Sequence, residues 1–294
     1  MHVGDFPMFN VSLDGTGLVA LMREHGIATG LVFHPDNELV RTTLVRQPGV
    51  YGLVWANPRM PGAVDETRRL LDEPGSRFRG VKLHPLLDGY HPDDPIVHPI
   101  VELLIERGLP ALIHGGHPIF TLPWSIEELI RRYPAARIVL GHMGHGNIVY
   151  INAAIDVAAR NPNVFLETSG MPMHSKIREA VERVGPDRVL YGSDAPFHHP
   201  SVELTKVRVS GLSSELVDRV LGENGRELFF GGRQPDVVVC PFARGTAGGP
   251  PPAPGARVAG RSHHPRTGRR KRMSKSRTLA AGLGAALMIG VAIA

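Results

Sequence analysis

Short, almost wholly apolar runs alternate with amphipathic segments along the first 231 residues of the chain. Seven such runs stand at 29–35, 50–58, 78–85, 110–116, 137–144, 163–170 and 188–196. Continuous apolar runs of this kind, closed by Gly, Pro, His or Asn, are typical of strands buried on both faces of a parallel sheet. The segments between them, such as DETRRLLDE and WSIEELIRRYP, repeat apolar residues at helical spacing. The pattern therefore predicts recurring strand–helix units.

Two architectures are built from such units, a (β/α)8 barrel and a doubly wound open sheet. No G-x-G-x-x-G follows an early strand, as an open nucleotide-binding sheet would favour. Polar residues instead follow several different runs, as in barrel enzymes, which build their sites at the carboxyl ends of many strands. These residues are His34, His84, His114, His142 and Asp194. We therefore predict a TIM-like (β/α)8 barrel over residues 1–231.

The barrel pattern stops after a predicted helix at 222–232. Residues 232–272 are rich in Pro, Gly and Arg, and this composition predicts disorder. Residues 273–294 form a small basic segment and an apolar run ending in Ala-Ile-Ala, which is typical of a signal peptide. The uncharged part, 278–294, is shorter than the ~20 residues that span a membrane. We favour translational run-on into a neighbouring secretory start, and a membrane tail or a soluble apolar tail are the alternatives.

Charge is distributed unevenly between the predicted barrel and the tail. The chain has 33 Lys+Arg and 28 Asp+Glu, a net charge of +5. Only Asp236 among the acidic residues lies beyond residue 231, so the barrel is mildly acidic and the tail is basic. The basic run at 268–272 fits a solvated tail, and no nucleic-acid partner is expected. The single cysteine, Cys240, and the lack of an export signal at the N-terminus predict a cytoplasmic protein.

Several residues at the run ends have the chemistry of a metal-dependent site. His114 follows an apolar run and precedes two glycines, and His142 likewise follows a later apolar run. Histidine is a common ligand of catalytic zinc, so each is a candidate ligand, and His142 could instead be a catalytic acid or base. A carboxylate such as Asp194, directly after a buried strand, is costly unless it binds a metal or several donors.

Lys82 and His84 stand two residues apart and therefore share one face of their strand. In a barrel this face points into the site, so both are candidate catalytic residues, with a buried polar layer as the alternative. His145, three residues after His142, is expected at the rim. His198 and His199 are expected mostly at the surface, and the histidines without strand-end placement are expected to be structural.

The motifs GVKLHP, LIHGG, IVLGHMG and LYGSDAPF, in this order and before a closing ENGRELF segment, resemble the amidohydrolase-related family. This branch of the amidohydrolase superfamily includes aminocarboxymuconate semialdehyde decarboxylase and resorcylate-type decarboxylases. The resemblance implies a distorted (β/α)8 barrel holding one divalent metal, usually zinc and sometimes manganese. It implies His2, His114 and Asp194 as metal ligands and His142 as a catalytic histidine.

The first strand departs from the family pattern. Members of the family begin with an apolar strand ending in Asp-x-His-x-His-x-Gly, whereas this chain opens Met1-His2-Val3-Gly4. His2 would then be the second His of the pair, and the first His and the strand before it would be missing. A start codon assigned too late explains this, since a GTG valine codon is translated as Met at a start. The alternative is a chance match in a degenerate barrel.

These residues together predict a metal-dependent hydrolase. A metal-bound water would attack an amide, lactone or ester of a small carboxylated molecule. Asp194 would take the proton of that water, and His142, with Lys82 or His84, would polarise the carbonyl group. The alternatives are a non-oxidative decarboxylase of the same family and an inactive, truncated barrel. A small-molecule substrate is the expected partner, a homodimer is left open, and membrane contact is expected only through 278–294.

Overall fold

A seven-stranded parallel sheet, curled and covered by helices, forms the centre of the computed structural model, which describes residues 1–238. The strands neighbour one another in chain order. They are β3 (Gly30–Val32), β4 (Val50–Trp55), β5 (Phe78–Leu83), β6 (Pro110–Ile113), β7 (Arg137–Leu140), β8 (Val164–Glu167) and β9 (Val189–Leu190). All seven strands lie within the predicted apolar runs, so the predicted strand–helix pattern and the TIM-like fold are confirmed.

A short antiparallel hairpin precedes the sheet. It consists of β1 (Gly4–Phe6) and β2 (Val11–Leu13), joined through a 3₁₀ turn at Pro7–Phe9. Asn10 ends this turn at φ 52°, in the left-handed region that Asn tolerates better than most residues. The sequence pattern did not indicate the hairpin, because strands of three residues leave too few positions for an alternation to be recognised.

Helices pack around the sheet, most of them following a strand directly. Asp36 begins one of them by accepting hydrogen bonds from the backbone N–H groups of Glu38 and Leu39. The helices are α1 (Gly15–Glu24), α2 (Asn37–Arg46), α3 (Ala63–Asp72), α4 (Pro85–Asp88), α5 (His98–Arg107), α6 (Pro123–Arg132), α7 (Ile148–Arg160), α8 (His174–Val184), α9 (Pro200–Arg208), α10 (Ser214–Asp218) and α11 (Asn224–Phe230). A π-helical turn at Arg219–Glu223 joins the last two.

The first two residues of the chain connect the end of β3 to the segment that follows β9, the last strand of the sheet. The backbone N–H of Phe33 donates to Met1 O over 3.3 Å, and the N–H of His2 donates to Ala195 O over 2.6 Å. His2 also pairs with Phe33 as an isolated parallel bridge. The ring is therefore closed at the carboxyl ends of the strands.

Away from that end, β3 and β9 are not paired with each other among residues 1–238. A cavity of about 530 Å³ occupies this interval and the interior of the barrel. Its wall includes inward-facing side chains of the strands and residues of the outer helices. They include Leu31, Leu53, Leu112, Val139, Leu190, Val220 and Phe229.

The packed chain continues past the boundary predicted at residue 231. After α11, the N–H of Val238 donates to Ala28 O over 2.7 Å, and the N–H of Asp236 donates to the phenolic oxygen of Tyr51 over 2.9 Å. Val238 is buried by these contacts. The predictions for the remainder of 232–272 and for 273–294 lie outside the described residues. Among residues 1–238, no helix is long and apolar enough to cross a membrane.

Asn224, in the ENGRELF motif, connects α11 to β9. Its amide group is buried and donates to Pro186 O over 2.7 Å and to Val189 O over 2.8 Å. We expect Asn224→Ala to lower the free energy of unfolding by about 2–3 kcal/mol, because two buried carbonyl groups lose their donor. Urea denaturation at neutral pH measures this change.

The neighbouring Gly225 provides a matched control. A Cβ at this helical position would meet no other atom within 4 Å. Gly225→Ala should therefore leave the stability unchanged or raise it by up to about 1 kcal/mol, as expected for Gly→Ala in a helix. An equal loss of stability in both variants would contradict the connecting role of Asn224.

Candidate active site

Three histidines that follow adjacent strands meet at the carboxyl end of the sheet. His84, His114 and His142 come directly after β5 and β6 and near the end of β7, and all three are buried. The rings of His84 and His114 are stacked, with centroids 4.0 Å apart and planes 15° from parallel. His142 Nε2 lies 3.1 Å from His114 Nδ1. The predicted gathering of strand-end residues is therefore present, since parallel strands end side by side.

Two glycines after His114 allow the neighbouring loop to come close. A Cβ at Gly115 would lie 2.7 Å from Gly141 O, and one at Gly116 would lie 2.5 Å from Gly144 C. Side chains at these positions would push the loop after β6 away from the loop after β7. The His-Gly-Gly sequence thus brings the rings of His114 and His142 into contact.

The backbone is strained at this end of the barrel. His142, Met143, His145 and Asp194 all have positive φ, at 64°, 42°, 54° and 48°. For residues other than glycine such conformations cost of order 1–3 kcal/mol each, and they persist only where the surroundings hold them. Their concentration here is typical of a functional site.

Asp194 and His2 form a buried pair. His2 Nε2 lies 3.0 Å from Asp194 Oδ1, and both side chains are nearly inaccessible to solvent. Burial alone would raise the pKa of Asp194, but the hydrogen bond from His2 and nearby positive groups outweigh it and hold that pKa below its usual range. Burial lowers the pKa of His2 to about 4, against the opposing effect of Asp194. The pair is therefore best described as an aspartate accepting a hydrogen bond from a neutral imidazole.

Lys82 points into the barrel beneath this pair. It is 2% exposed, it lines the cavity, and its ammonium group lies 4.9 Å from the centroid of the Phe33 ring. Burial lowers the pKa of Lys82 to about 8, although carboxylates including Asp194 and Glu167 act in the opposite direction. Among residues 1–238, Lys82 forms no ion pair within 4.0 Å, so its charge is available to an anion in the cavity.

The imidazole rings extend from the interior to the rim. His117 Nδ1 lies 2.9 Å from His114 Nε2, and the ring of His145 lies 4.3 Å from that of His117. Burial lowers the pKa of each of these histidines, and that of His145 falls to about 3. The rings are therefore neutral at pH 7, and each can donate one hydrogen bond and accept another.

The predicted metal ligands are not assembled around a common point. Among residues 1–238, no three His, Cys, Asp or Glu side chains are grouped closely enough to hold a metal ion. His2 and Asp194 are bonded to each other, and both ring nitrogens of His114 face other imidazoles. Their chemistry suits a divalent cation, but as placed they do not fit one. The ligand set His2, His114 and Asp194 stays a prediction.

The remaining histidines have other surroundings. His34 lies at the rim, where its Nδ1 accepts from the N–H of Asp36 over 2.9 Å. His198 Nε2 approaches Asp194 Oδ2 to 4.0 Å from the loop before α9. The exposed His199 accepts a hydrogen bond from the N–H of Ser201 at the start of α9, and His98 pairs with Asp93.

Three residues of the cluster were not singled out from the sequence. His117 follows His114 by three positions in the same glycine loop, and that spacing was the available signal. Glu167 and Ser169 bond to His142 from the end of β8. They stand two residues apart in LETSG, a spacing that puts two side chains on one face of a strand.

A parallel barrel with buried ionisable groups at the carboxyl ends of its strands is the arrangement of a barrel enzyme. The sequence profile of the Amidohydrolase family matches residues 13–231. The chain therefore belongs to the amidohydrolase family, as the motif resemblance implied.

Two curated relatives match part of the chain. Gamma-resorcylate decarboxylase from Polaromonas sp. (strain JS666) is 33% identical over 120 residues, covering 30% of this chain and 37% of the relative. The enzyme of the same name from Rhodococcus jostii is 29% identical over 120 residues, covering 30% of this chain and 36% of the relative. The chain thus spans little more than a third of the length of each of these relatives.

Solved structures of similar fold cover most of the chain. The crystal structure of 5-carboxyvanillate decarboxylase from Sphingomonas paucimobilis is 22% identical with a TM-score of 0.59, covering 76% of this chain and 85% of that one. That of dihydroxybenzoic acid decarboxylase from Polaromonas sp. JS666, with manganese and 2-nitroresorcinol bound, is 20% identical with a TM-score of 0.60, covering 74% and 86%. At these identities the likeness establishes the fold alone.

The buried neutral histidines should make the protein less stable in acid. Burial lowers the pKa of His84 and His114 well below 6.5 and that of His2 to about 4. Below pH 6.5 the unfolded chain therefore binds more protons than the folded one, and the free energy of unfolding decreases as the pH is lowered. The loss is about 1.4 kcal/mol per pH unit for each such histidine. Burial raises the pKa of Asp88 to about 6, so the folded chain takes up one proton there before the unfolded chain does. This single proton offsets part of the loss of stability.

Urea unfolding between about pH 7 and pH 5 measures this dependence. In a His84→Gln variant one of the titrating groups is absent, so the free energy of unfolding should fall less steeply over the same range. A free energy that does not change with pH would contradict the burial of neutral imidazoles.

Proposed function

We propose that the protein is a non-oxidative decarboxylase acting on a hydroxylated aromatic carboxylic acid. The observation that carries this proposal is the buried Lys82 ammonium group, which faces the interior cavity beside the imidazole cluster. Membership of the amidohydrolase family and the decarboxylase activity named for the matched relatives support it. The second candidate is the metal-dependent hydrolase predicted from the sequence, which the name of the Amidohydrolase family favours.

Decarboxylation exchanges a carbon–carbon bond for a carbon–hydrogen bond. One proton is added to the ring carbon that bears the carboxylate group. When CO2 leaves, the electron pair of the breaking bond returns to the ring and restores its aromaticity. The reaction therefore needs an anchor for the carboxylate, a proton source and a dry environment for the ring.

Residues of this chain supply each of these requirements. Lys82 would bind the substrate carboxylate, since a buried ammonium group without an ion pair gains most from an anion. Asp194, which its surroundings keep ionised, would accept a phenolic hydrogen bond. His142 lines the cavity and would give a proton to the ring carbon, and His114 and His117, in hydrogen-bonded contact with it, would replace that proton from the rim. His84, stacked between Trp55 and His114, would keep the cluster packed.

The apolar part of the cavity suits the aromatic ring. Its volume of about 530 Å³ lies within the range of small-molecule sites. Phe33, Leu53 and Leu190 contribute aromatic and aliphatic surface beside Lys82. Such a lining excludes water from the ring and strengthens the interaction of the carboxylate with the ammonium group.

The metal stays a separate prediction. The Polaromonas structure contains manganese, whereas the motif resemblance implies zinc more often than manganese. A divalent cation would supply a further positive charge for the substrate's oxygen atoms. Elemental analysis of purified protein, before and after incubation with manganese and with zinc, measures which ion is retained.

Product analysis tests the proposed reaction. Purified protein, with and without added manganese, is incubated with carboxyl-¹³C-labelled 2,6-dihydroxybenzoate or 5-carboxyvanillate and, in parallel, with a set of lactones, esters and amides. We expect labelled CO2 or bicarbonate and the matching phenol. Hydrolysis of a member of the set, without labelled CO2 from either acid, would favour the second candidate. No turnover in any reaction would favour the inactive barrel.

Replacement of Lys82 by methionine separates binding from folding. Lys82→Met keeps an unbranched side chain one atom shorter and removes its charge, so kcat/KM for the aromatic acid should fall roughly 100-fold. The stability should stay the same or rise, because a buried ammonium group no longer has to be desolvated. Product formation by HPLC and urea denaturation measure the two effects. Wild-type activity in this variant would exclude the anion-binding role.

A further inference from the structure

The turn that carries His142 is fastened by the neighbouring strand. Glu167, the last residue of β8, accepts the backbone N–H of His142 at its Oε2 atom over 3.0 Å. Glu167 also accepts the N–H of Ser169 at Oε1 over 2.8 Å and the hydroxyl of Ser169 at Oε2 over 2.9 Å. One carboxylate thus holds both a backbone with positive φ and the residue that faces the His142 ring.

Ser169 determines which nitrogen of His142 carries the proton. His142 Nδ1 lies 3.2 Å from the carbonyl oxygen of Ser169 and 3.1 Å from its hydroxyl oxygen. The carbonyl can only accept, and the hydroxyl proton is already donated to Glu167, so both oxygens present lone pairs to His142. The proton therefore sits on Nδ1, and Nε2 is left as an acceptor facing His114.

The tautomers of the next two rings follow from that choice. If His142 Nε2 accepts, His114 donates through its Nδ1 over 3.1 Å. The Nε2 atom of His114 then accepts from His117 Nδ1 over 2.9 Å. The direction of the whole imidazole chain is thus set at its inner end by Ser169 and Glu167.

A glycine on the other neighbouring segment makes room for this carboxylate. A Cβ at Gly192 would lie 1.6 Å from Glu167 Oε1 and 2.4 Å from its Cδ. Gly192 is not among the glycines with positive φ, so its backbone conformation does not require glycine. Position 192 lacks a side chain because the carboxylate of Glu167 occupies the space that one would fill. This observation does not depend on the hydrogen bonds.

We propose that Glu167 is a positioning residue that acts through Ser169, with Gly192 providing its space, to keep His142 in one ring orientation and one tautomer. For its kinetic consequence this inference rests on the decarboxylase function proposed above. The tautomer of His142 is a property of the free protein and can be measured whether or not the reaction is the proposed one.

Glu167→Gln tests the inference directly. Glutamine keeps the shape but has one acceptor atom in place of two, so the three hydrogen bonds cannot all be made. Long-range ¹H–¹⁵N spectra of histidine-labelled protein, with His142 assigned through a His142→Gln variant, should change from one Nδ1–H tautomer to a mixture. We expect kcat to fall roughly 10- to 100-fold and KM to change little, because the catalytic ring is misplaced while Lys82 is untouched.

One control variant and a double-variant comparison complete the test. Glu182→Gln makes the same chemical change at the surface of α8, where Glu182 pairs with Arg178, and should leave the His142 signals and kcat unchanged. Gly192→Ala should reproduce the effects of Glu167→Gln, since its methyl group displaces the carboxylate. In a Glu167→Ala background, Gly192→Ala should have no further effect, because the clash is gone.

The two proposals fail in different ways. A single Nδ1–H tautomer of His142 in both Glu167→Gln and Gly192→Ala overturns the positioning role, whatever the reaction is. Mixed tautomers in these variants, with no labelled CO2 from the wild-type protein, support the positioning role and count against the decarboxylase. If Glu167→Gln does not fold, the spectra of Gly192→Ala and of the double variant decide the question.

Discussion

Closure of the ring by two residues is the constraint on which the rest of the structure depends. Met1 and His2 are hydrogen-bonded to Phe33 on one side and to Ala195 on the other, whereas β3 and β9 are not paired with each other among residues 1–238. The same contact brings His2 to Asp194. The segment that closes the ring therefore also supplies a residue of the candidate active site, and the closed end of the barrel is the end that carries the ionisable groups.

So many ionisable side chains can be buried together because few of them are charged. Burial lowers the pKa values of the clustered histidines, so their rings stack and bond as neutral groups. The charges that remain are those of Lys82 and the nearby carboxylates, which partly compensate each other across the cavity. Lys82 would keep its charge to pair with an entering anion, as the proposed binding of a carboxylate substrate requires.

The sequence was sufficient for the main features of the fold because these are periodic. All seven parallel strands lie within apolar runs, and His84, His114, His142 and Asp194 were found from their place at the run ends. His117, Glu167 and Ser169 were not, because their roles depend on hydrogen bonds between separate strands, which no local pattern encodes. The metal set stays a prediction, because the structure brings His2 and Asp194 into contact but groups no three metal-binding side chains among residues 1–238.

The empty space at Gly192 has an evolutionary consequence. Because the carboxylate of Glu167 fills the volume in which a side chain at 192 would lie, the two positions cannot vary independently. A lineage that acquires a larger residue at 192 has to shorten the one at 167 first, since the reverse order passes through a clash. In related sequences, residues 167 and 192 should therefore covary, and the residue at 167 should become smaller before the residue at 192 becomes larger.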